Sequence, residues 1–231
     1  MKVMRDPLSR PLLPRRPHSG PSLRPRWLLS LLMTCLVPLL LGCGQPPMLV
    51  NQYILEYPAP VVGGQGQIPA ALKVELFSVA QAYNTNAMVY QPQPFKSQVY
   101  NYSRWRANPG FLVTDYLLRD LRASGLFKAV LGPDTSGKYR FLLEGGVAEF
   151  QELDETDGWK AALALTVTLL DTSKLELPQR VVFQKNYREL EPMPVKTPQG
   201  LAQAMSRALE HLSARIITDT YEAARSRAAN K

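Results

Sequence analysis

Reactive side chains are scarce in this chain: 231 residues include two cysteines and two histidines. Cys35 and His18 lie before residue 43, in a stretch with the character of a removable leader, so the remainder keeps only Cys43 and His211. One cysteine excludes an intramolecular disulfide, a His/Cys zinc site cannot be built, and a Cys/His dyad has no second Cys to draw on. Acidic residues are also missing where the basic ones gather. Seven of the 27 Lys and Arg lie before residue 43, against the single acid Asp6, so much of the formal charge of +8 is local. From Cys43 onward, 27 less seven leaves 20 basic residues and 19 less one leaves 18 acidic ones. That near balance predicts no phosphate-backbone footprint and no nucleic acid partner. There is no Gly-x-Ser-x-Gly and no Gly-x-x-x-x-Gly-Lys loop, so if ATP drives the task another subunit binds it.

What is present begins with the leader. Residues 1–26 are rich in Pro and Arg and run into the apolar stretch Trp27 to Leu41, then Gly42 and Cys43. The stretch is shorter than the roughly 20 residues a helix needs to span a bilayer, and Pro38 discourages a continuous helix, so it reads as the h-region of a secretory signal over residues 1–42. Leu40-Leu41-Gly42-Cys43 resembles the bacterial lipobox, in which the Cys takes a thioether-linked diacylglycerol, cleavage follows on its N-terminal side and the new amine is acylated. Cys43 is therefore the expected lipid attachment site, and no other cofactor is expected. Acyl chains contribute about 0.8 kcal/mol per buried CH2, so several chains on one Cys tether a domain firmly. Gly44 stands where an Asp would be an inner-membrane retention signal, which by the same resemblance sends the chain to the inner leaflet of the outer membrane, facing the periplasm. A plain signal peptide or a retained anchor with an incidental Cys is the alternative.

Apolar residues make up 45% of the chain and charged ones 20%, enough for one ordinary core, and no internal repeat is visible. Residues 43–69, with Pro46-Pro47, Pro58, Pro60 and Gly63-Gly64-Gln65-Gly66, predict a flexible tether interrupted by a short strand at Tyr53-Ile54-Leu55. The domain proper is expected over 70–227, with a tail at 228–231. Leu72, Val74 and Leu76 alternate as a first strand, and residues 87–91 and 96–105 form a hairpin. Asn108-Pro109 caps a helix whose face is Val113, Leu117 and Leu121 and which Ser124-Gly125 ends. A short strand at 127–131 and long ones at 139–153, 159–171 and 180–190 follow. The middle long strand points Ala161, Leu163, Leu165, Val167 and Leu169 one way, and Gly145-Gly146 in its neighbour predicts a bulge. A final helix from Pro198 carries Leu201, Met205, Ala208, Leu212 and Ile216. The fold class is α+β: one domain, an antiparallel-rich sheet and two main helices on one face.

Three groups of residues are candidates for chemistry or binding. Glu149, Glu152, Asp154, Glu155 and Asp157 could pair as glycosidase acids, but ahead of Gly158 they read as hydrated turn residues, and they lack the full Ca2+ loop spacing. His211, beside Glu210 on the last helix, reads as a surface or packing histidine. Tyr83, Tyr90, Tyr100, Tyr102 and Trp105 suit either sheet packing or a partner interface. Neither a catalytic residue nor a metal ligand is expected.

The lipobox, Tyr53-Ile54-Leu55, the strand at 72–79, Val89-Tyr90, Tyr102-Ser103-Arg104-Trp105 before a leucine-rich helix, the long Tyr139-to-Phe150 strand and the terminal Leu/Ala helix together resemble the ABC-type transport auxiliary lipoprotein family. The resemblance implies a non-enzymatic, lipid-anchored periplasmic component of an ABC system. Such a system carries an MCE-domain protein and moves lipids or other hydrophobic molecules across the envelope. The implied partners are the MCE protein and the permease/ATPase complex; a homo-oligomer stays open. Tyr102, Arg104 and Trp105 are the candidate partner-binding residues, with Trp105 alternatively filling the core under the helix. Two rivals remain: an outer-membrane assembly or lipopolysaccharide-insertion lipoprotein, and a cell-wall hydrolase.

Overall fold

The alternation of Ala161, Leu163, Leu165, Val167 and Leu169 sets the inner face of the longest ladder, and all five side chains are buried. In the computed structural model, which describes residues 48–64 and 66–229, this strand lies in a nine-stranded sheet. The order along the chain is β1 (Asn51–Tyr53), β2 (Ile68–Val74), β3 (Ser78–Val79), β4 (Ala87–Gln93), β5 (Lys96–Trp105), α1 (Pro109–Ser124) and β6 (Phe127–Leu131), followed by β7 (Phe141–Glu155), β8 (Gly158–Asp171), the single turn α2 (Leu177–Arg180), β9 (Val181–Met193) and α3 (Pro198–Ala229). The expected leader over 1–42 and Cys43 lie outside the described residues.

The α+β class and the single domain from Met48 onward are as expected, but the sheet is mixed, not antiparallel-rich. The cause is β7. One of its edges pairs with β8 from end to end, and β8 with β9, all antiparallel. Its other edge is shared in turn by β2 at Phe141–Leu143, β3 at Gly146–Val147 and β4 at Glu152–Leu153, each parallel and each only two or three residues long. β6 adds parallel to β2, β5 adds antiparallel to β4, and β1 adds parallel to β5. The helix α1 separates β2 from β6 and β2, β3 and β4 from β7, whereas β1 and β5 pair in parallel with only strands and loops between them, and periodicity within a strand does not encode that choice.

Local sequence explains how α1 and α3 start and stop. Asn108 Oδ1 accepts the Gly110 amide at 3.0 Å, Pro109 takes the first helical position, and Gly125 closes α1 at φ 64°. Thr197 Oγ1 accepts the Gly200 amide at 3.0 Å at the start of α3, which runs to Ala229 and so enters the tail expected from 228. Leu201, Met205, Ala208, Leu212 and Ile216 are all fully buried along α3. The expected bulge at Gly145-Gly146 is displaced: both glycines pair regularly with β8, and the register shifts between Val147 and Glu149. A Cβ on Gly145 would lie 2.6 Å from the Phe77 ring, so this glycine serves the close passage of Phe77.

Of the flexible tether expected over 43–69, residues 43–47 and 65 lie outside the described residues, and much of the rest is tied into the fold. Asn51–Tyr53 is a strand, Leu55 is fully buried, Tyr57 is 8% exposed, and β2 already begins at Ile68. A buried carboxylate holds this segment. Asp120 of α1 accepts the Tyr57 hydroxyl at 2.8 Å and the Ser213 hydroxyl of α3 at 2.6 Å on Oδ2, while Arg119 Nε donates to Oδ1 at 2.7 Å. The Arg119 guanidinium lies 4.5 Å from the Tyr57 and Tyr116 ring centres and donates to the Tyr57 carbonyl at 3.0 Å, and the Tyr116 hydroxyl donates to the Leu55 carbonyl. Burial first, then the Asp120 charge and hydrogen bond, push the Tyr57 hydroxyl well above its ordinary range, so it remains a donor. Asp120→Ala should therefore cost about 3 kcal/mol, because it strands two buried hydroxyls and a guanidinium at once. A urea melt against wild type measures this; a change below about 1 kcal/mol would remove the network from its structural role.

Candidate functional site

β5 lies between β4 and β1, and its last residues alternate in exposure. Ser103 and Trp105 point into the core and Tyr102 and Arg104 out of it, with Tyr102 49% exposed. Trp105 is 2% exposed and meets the Phe150 ring edge-on at 5.1 Å, and its amide donates to the Asn86 carbonyl at 2.7 Å. Trp105 thus takes the core position that the sequence leaves as its alternative to partner binding, sealed against β7. Tyr102 and Arg104 remain on the surface, Arg104 level with Gln52 of the edge strand β1. Nearby, Arg106 donates to Gln52 Oε1 at 3.1 Å.

The acids expected at a turn divide into two sets. Glu155 and Asp157 belong to the β7–β8 turn, where Lys160 pairs with both at 2.6 and 2.9 Å. Glu149, Glu152 and Asp154 lie within β7. Burial raises the Glu149 carboxyl, but hydrogen bonds from Arg188 and Gln151 outweigh it and hold the group below its ordinary range. Glu152 is fully buried; it accepts the Tyr100 hydroxyl at 2.8 Å on Oε2, while Oε1 has no hydrogen-bond partner. Burial and the neighbouring Asp154 push its pKa up to about 7 despite that hydrogen bond. Asp154 is bound by Lys196, whose ammonium also sits 5.7 Å from the Tyr90 ring centre, and Tyr90 packs on Tyr100 at 5.0 Å. This polar knot joins the hairpin β4–β5, the end of β7 and the loop into α3. Sequence reading missed it because Tyr90, Tyr100, Glu152 and Lys196 come from four separate segments.

The knot is not arranged as an acid–base pair for hydrolysis. Glu152 is sealed from solvent, and an open cleft of about 290 Å³ bordered by Gln91, Gln93, Glu149, Asp154, Glu155 and Arg188 has its three carboxylates already paired with Arg188, Lys196 and Lys160. His211 belongs to the one metal-type grouping among the described residues. Its Nδ1 lies 2.8 Å from Glu191 Oε1 and 3.9 Å from Glu189 Oε1. The other oxygens of these two glutamates accept from Arg207 at 3.4 Å and Arg215 at 3.2 Å. Two guanidiniums balance the two carboxylates, so a divalent cation would bind there against local positive charge. No helix among the described residues is long and apolar enough to cross a membrane.

The sequence profile of the family described as ABC-type transport auxiliary lipoprotein component matches residues 53–217. No curated protein matches the chain by sequence. The solved structure of XCC0632 from Xanthomonas campestris, assigned to the family DUF330, is similar with TM-score 0.71 at 20% identity over 78% of this chain and 99% of that one. A protein described only as uncharacterized is similar with TM-score 0.57 at 15% identity over 74% of this chain and 98% of that one. At these identities the likeness is one of fold.

Two measurements test the site. Trp105→Ala should lose roughly 3 to 5 kcal/mol of stability, and Arg104→Ala should stay within about 0.5 kcal/mol, read by denaturant melts. For Glu152, the folded carboxyl holds its proton to about 7 whereas the ordinary value is 4.5. Its stabilising contribution is complete below 4.5 and is lost as pH rises through about 7. Wild type should therefore lose stability on the order of 3 kcal/mol from about pH 4 to pH 8 relative to Glu152→Gln, which lacks this titration. Parallel pH dependences in the two proteins would show that Glu152 does not titrate in this way.

Proposed function

Because the chain belongs to the family of ABC-type transport auxiliary lipoprotein components, we propose that it serves as a lipid-anchored, non-catalytic docking component of an envelope transport system. The family match over residues 53–217 carries this reading: it begins at the last residue of β1 and ends within α3, so it takes in the buried Leu55–Tyr57 segment, strands β2 to β9, α1 and the first part of α3. Cys43 at the end of the leader supplies the diacylglycerol and N-acyl anchor, and Gly44 favours the inner leaflet of the outer membrane with the domain facing the periplasm. The partner is an MCE-domain protein joined to a permease and ATPase, and the cargo is a lipid or another hydrophobic molecule. Tyr102 and Arg104 are the docking residues in this reading, since they face outward where a Tyr and an Arg concentrate binding energy once desolvated. A docking role also accords with the carboxylates of the cleft beside β7, each of which is already paired with a cation.

Acyl labelling and co-purification test the two halves separately. Cys43→Ala should abolish incorporation of labelled fatty acid; a variant still acylated and membrane-bound after a high-salt wash rejects the lipoprotein reading. Tyr102→Ala and Arg104→Ala should reduce co-purification with the MCE protein encoded nearby while leaving the melt unchanged. Full retention of the complex in the double variant would move the docking surface elsewhere. His211→Ala and Asp157→Asn should leave cellular function intact, and loss of function in either, at normal abundance and fold, would require a catalytic or metal site.

A further inference from the structure

Three turns meet at one end of the sheet. The strand β4 is parallel to β7 with Tyr90 level with Glu152, so the β4–β5 turn lies beside the β7–β8 turn. Trp159, the second residue of β8, pairs with Met193, the last residue of β9, which brings the loop into α3 to the same end. The contact of Lys196 with Asp154 ties that loop to β7. These turns expose Phe95 (106%), Val195 (56%) and Trp159 (38%). Phe95 is the only non-glycine with positive φ among the described residues, at 65°, so its ring is presented to solvent by a backbone conformation that a bulky residue rarely adopts. Nothing in the fold covers it.

The direction of β1 says where the N-terminal segment comes from. β1 runs parallel to β5 with Asn51 level with Ser103, so the chain reaches β1 from the Phe95 side. Phe95 lies eight positions before Ser103, at most about 26 Å along β5. Cys43 lies eight positions before Asn51, a stretch that can span up to about 28 Å. The attachment site can thus reach the level of the three turns. Met48, Leu49 and Val50, the described residues leading into β1, are all exposed and apolar. The opposite end also exposes apolar residues, Leu175 and Leu177 between β8 and β9, but β1 is not approached from there.

We propose that the end of the sheet bearing Phe95 and Trp159 is seated in the interfacial layer of the bilayer that holds the Cys43 lipid. The inference rests on the lipoprotein reading and adds an orientation to it. Seating is apolar and aromatic in character, as for side chains of membrane interfacial belts. Lys96, Lys160 and Lys196 at this end are equalled in number by Asp154, Glu155 and Asp157, with Lys160 and Lys196 paired to them, so anionic headgroups meet little net charge and contact should persist at high salt.

Tryptophan fluorescence reads this directly, because Trp27 leaves with the leader, Trp105 is buried and Trp159 is at the surface. The full chain, processed in cells and checked by acyl labelling, is reconstituted in phosphatidylethanolamine and phosphatidylglycerol vesicles with brominated acyl chains. One of two tryptophans is then within reach of bromine, so emission should fall by about half relative to unbrominated vesicles. Trp159→Phe should remove the quenched component, Phe95→Ser should weaken quenching, and Leu175→Trp in the Trp159→Phe background should stay unquenched. Acylated protein that resists quenching at Trp159, or is quenched at position 175, overturns the orientation while leaving the lipoprotein reading intact. Unacylated protein overturns the lipoprotein reading, and the orientation with it.

Discussion

The buried carboxylate of Asp120 is the constraint from which much of this architecture follows. A charge without solvent must be satisfied by its neighbours, and here those neighbours come from three separate parts of the chain: Tyr57 before the first core strand, Arg119 on α1 itself and Ser213 in the middle of α3. Apolar packing alone would let α1 and α3 slide with modest loss, since volume-conserving rearrangements are tolerated. A carboxylate with three donors permits one register. The geometry also fixes the otherwise irregular Leu55–Tyr57 segment, because the Tyr57 ring is held by Arg119 on its face and by Asp120 at its hydroxyl.

β7 plays a comparable part in the sheet. Its full antiparallel ladder with β8 makes a rigid spine, and the opposite edge is parcelled out to β2, β3 and β4. Parallel pairs of two or three residues are weak by themselves, so their stability comes from the side chains beneath them: Phe77 over Gly145, and Trp105 against Phe150. The β4–β5 hairpin is held at its far end by the Tyr90, Tyr100, Glu152 and Lys196 knot instead of by a continuous core. This division leaves the hairpin's outer strand free to present Tyr102 and Arg104 while its inner residues close the barrel-like curl of the core.

What could be read from the sequence divides along the same line. β8, α1 and α3 were legible because a single period governs each, and their caps at Asn108, Gly125 and Thr197 are local chemistry. Pairing partners were not: the alternation in β2 or β4 is the same whether the neighbour is parallel or antiparallel, so the mixed sheet stayed hidden. Composition misled at residues 51–69, where Pro58, Pro60 and the glycines suggested a loose tether and outweighed Leu55 and Tyr57, whose partners lie about 60 or more positions away. Trp105 was left between core and interface because strand alternation identifies two faces without saying which is covered. Proximity to Gly158 makes the acids of β7 read as turn residues, although only Glu155 and Asp157 flank it; the burial of Glu152 depends on Tyr100 and on the packing of β4, neither of which is local.

Pairing of β1 from Asn51 onward carries the fold into a stretch whose composition suggests a tether. If Cys43 is the anchor, as proposed, eight positions separate it from β1, whereas the composition suggests more than twenty before the first core strand. The three paired residues of β1 are backed by the buried Leu55 and by the Tyr57–Asp120 bond, so a pull on the N-terminal segment passes from β1 to α1 and, through Ser213, to α3. Under the proposed anchoring, a partner has to come to the membrane, whereas a chain of more than twenty free residues lets a domain search for a distant one.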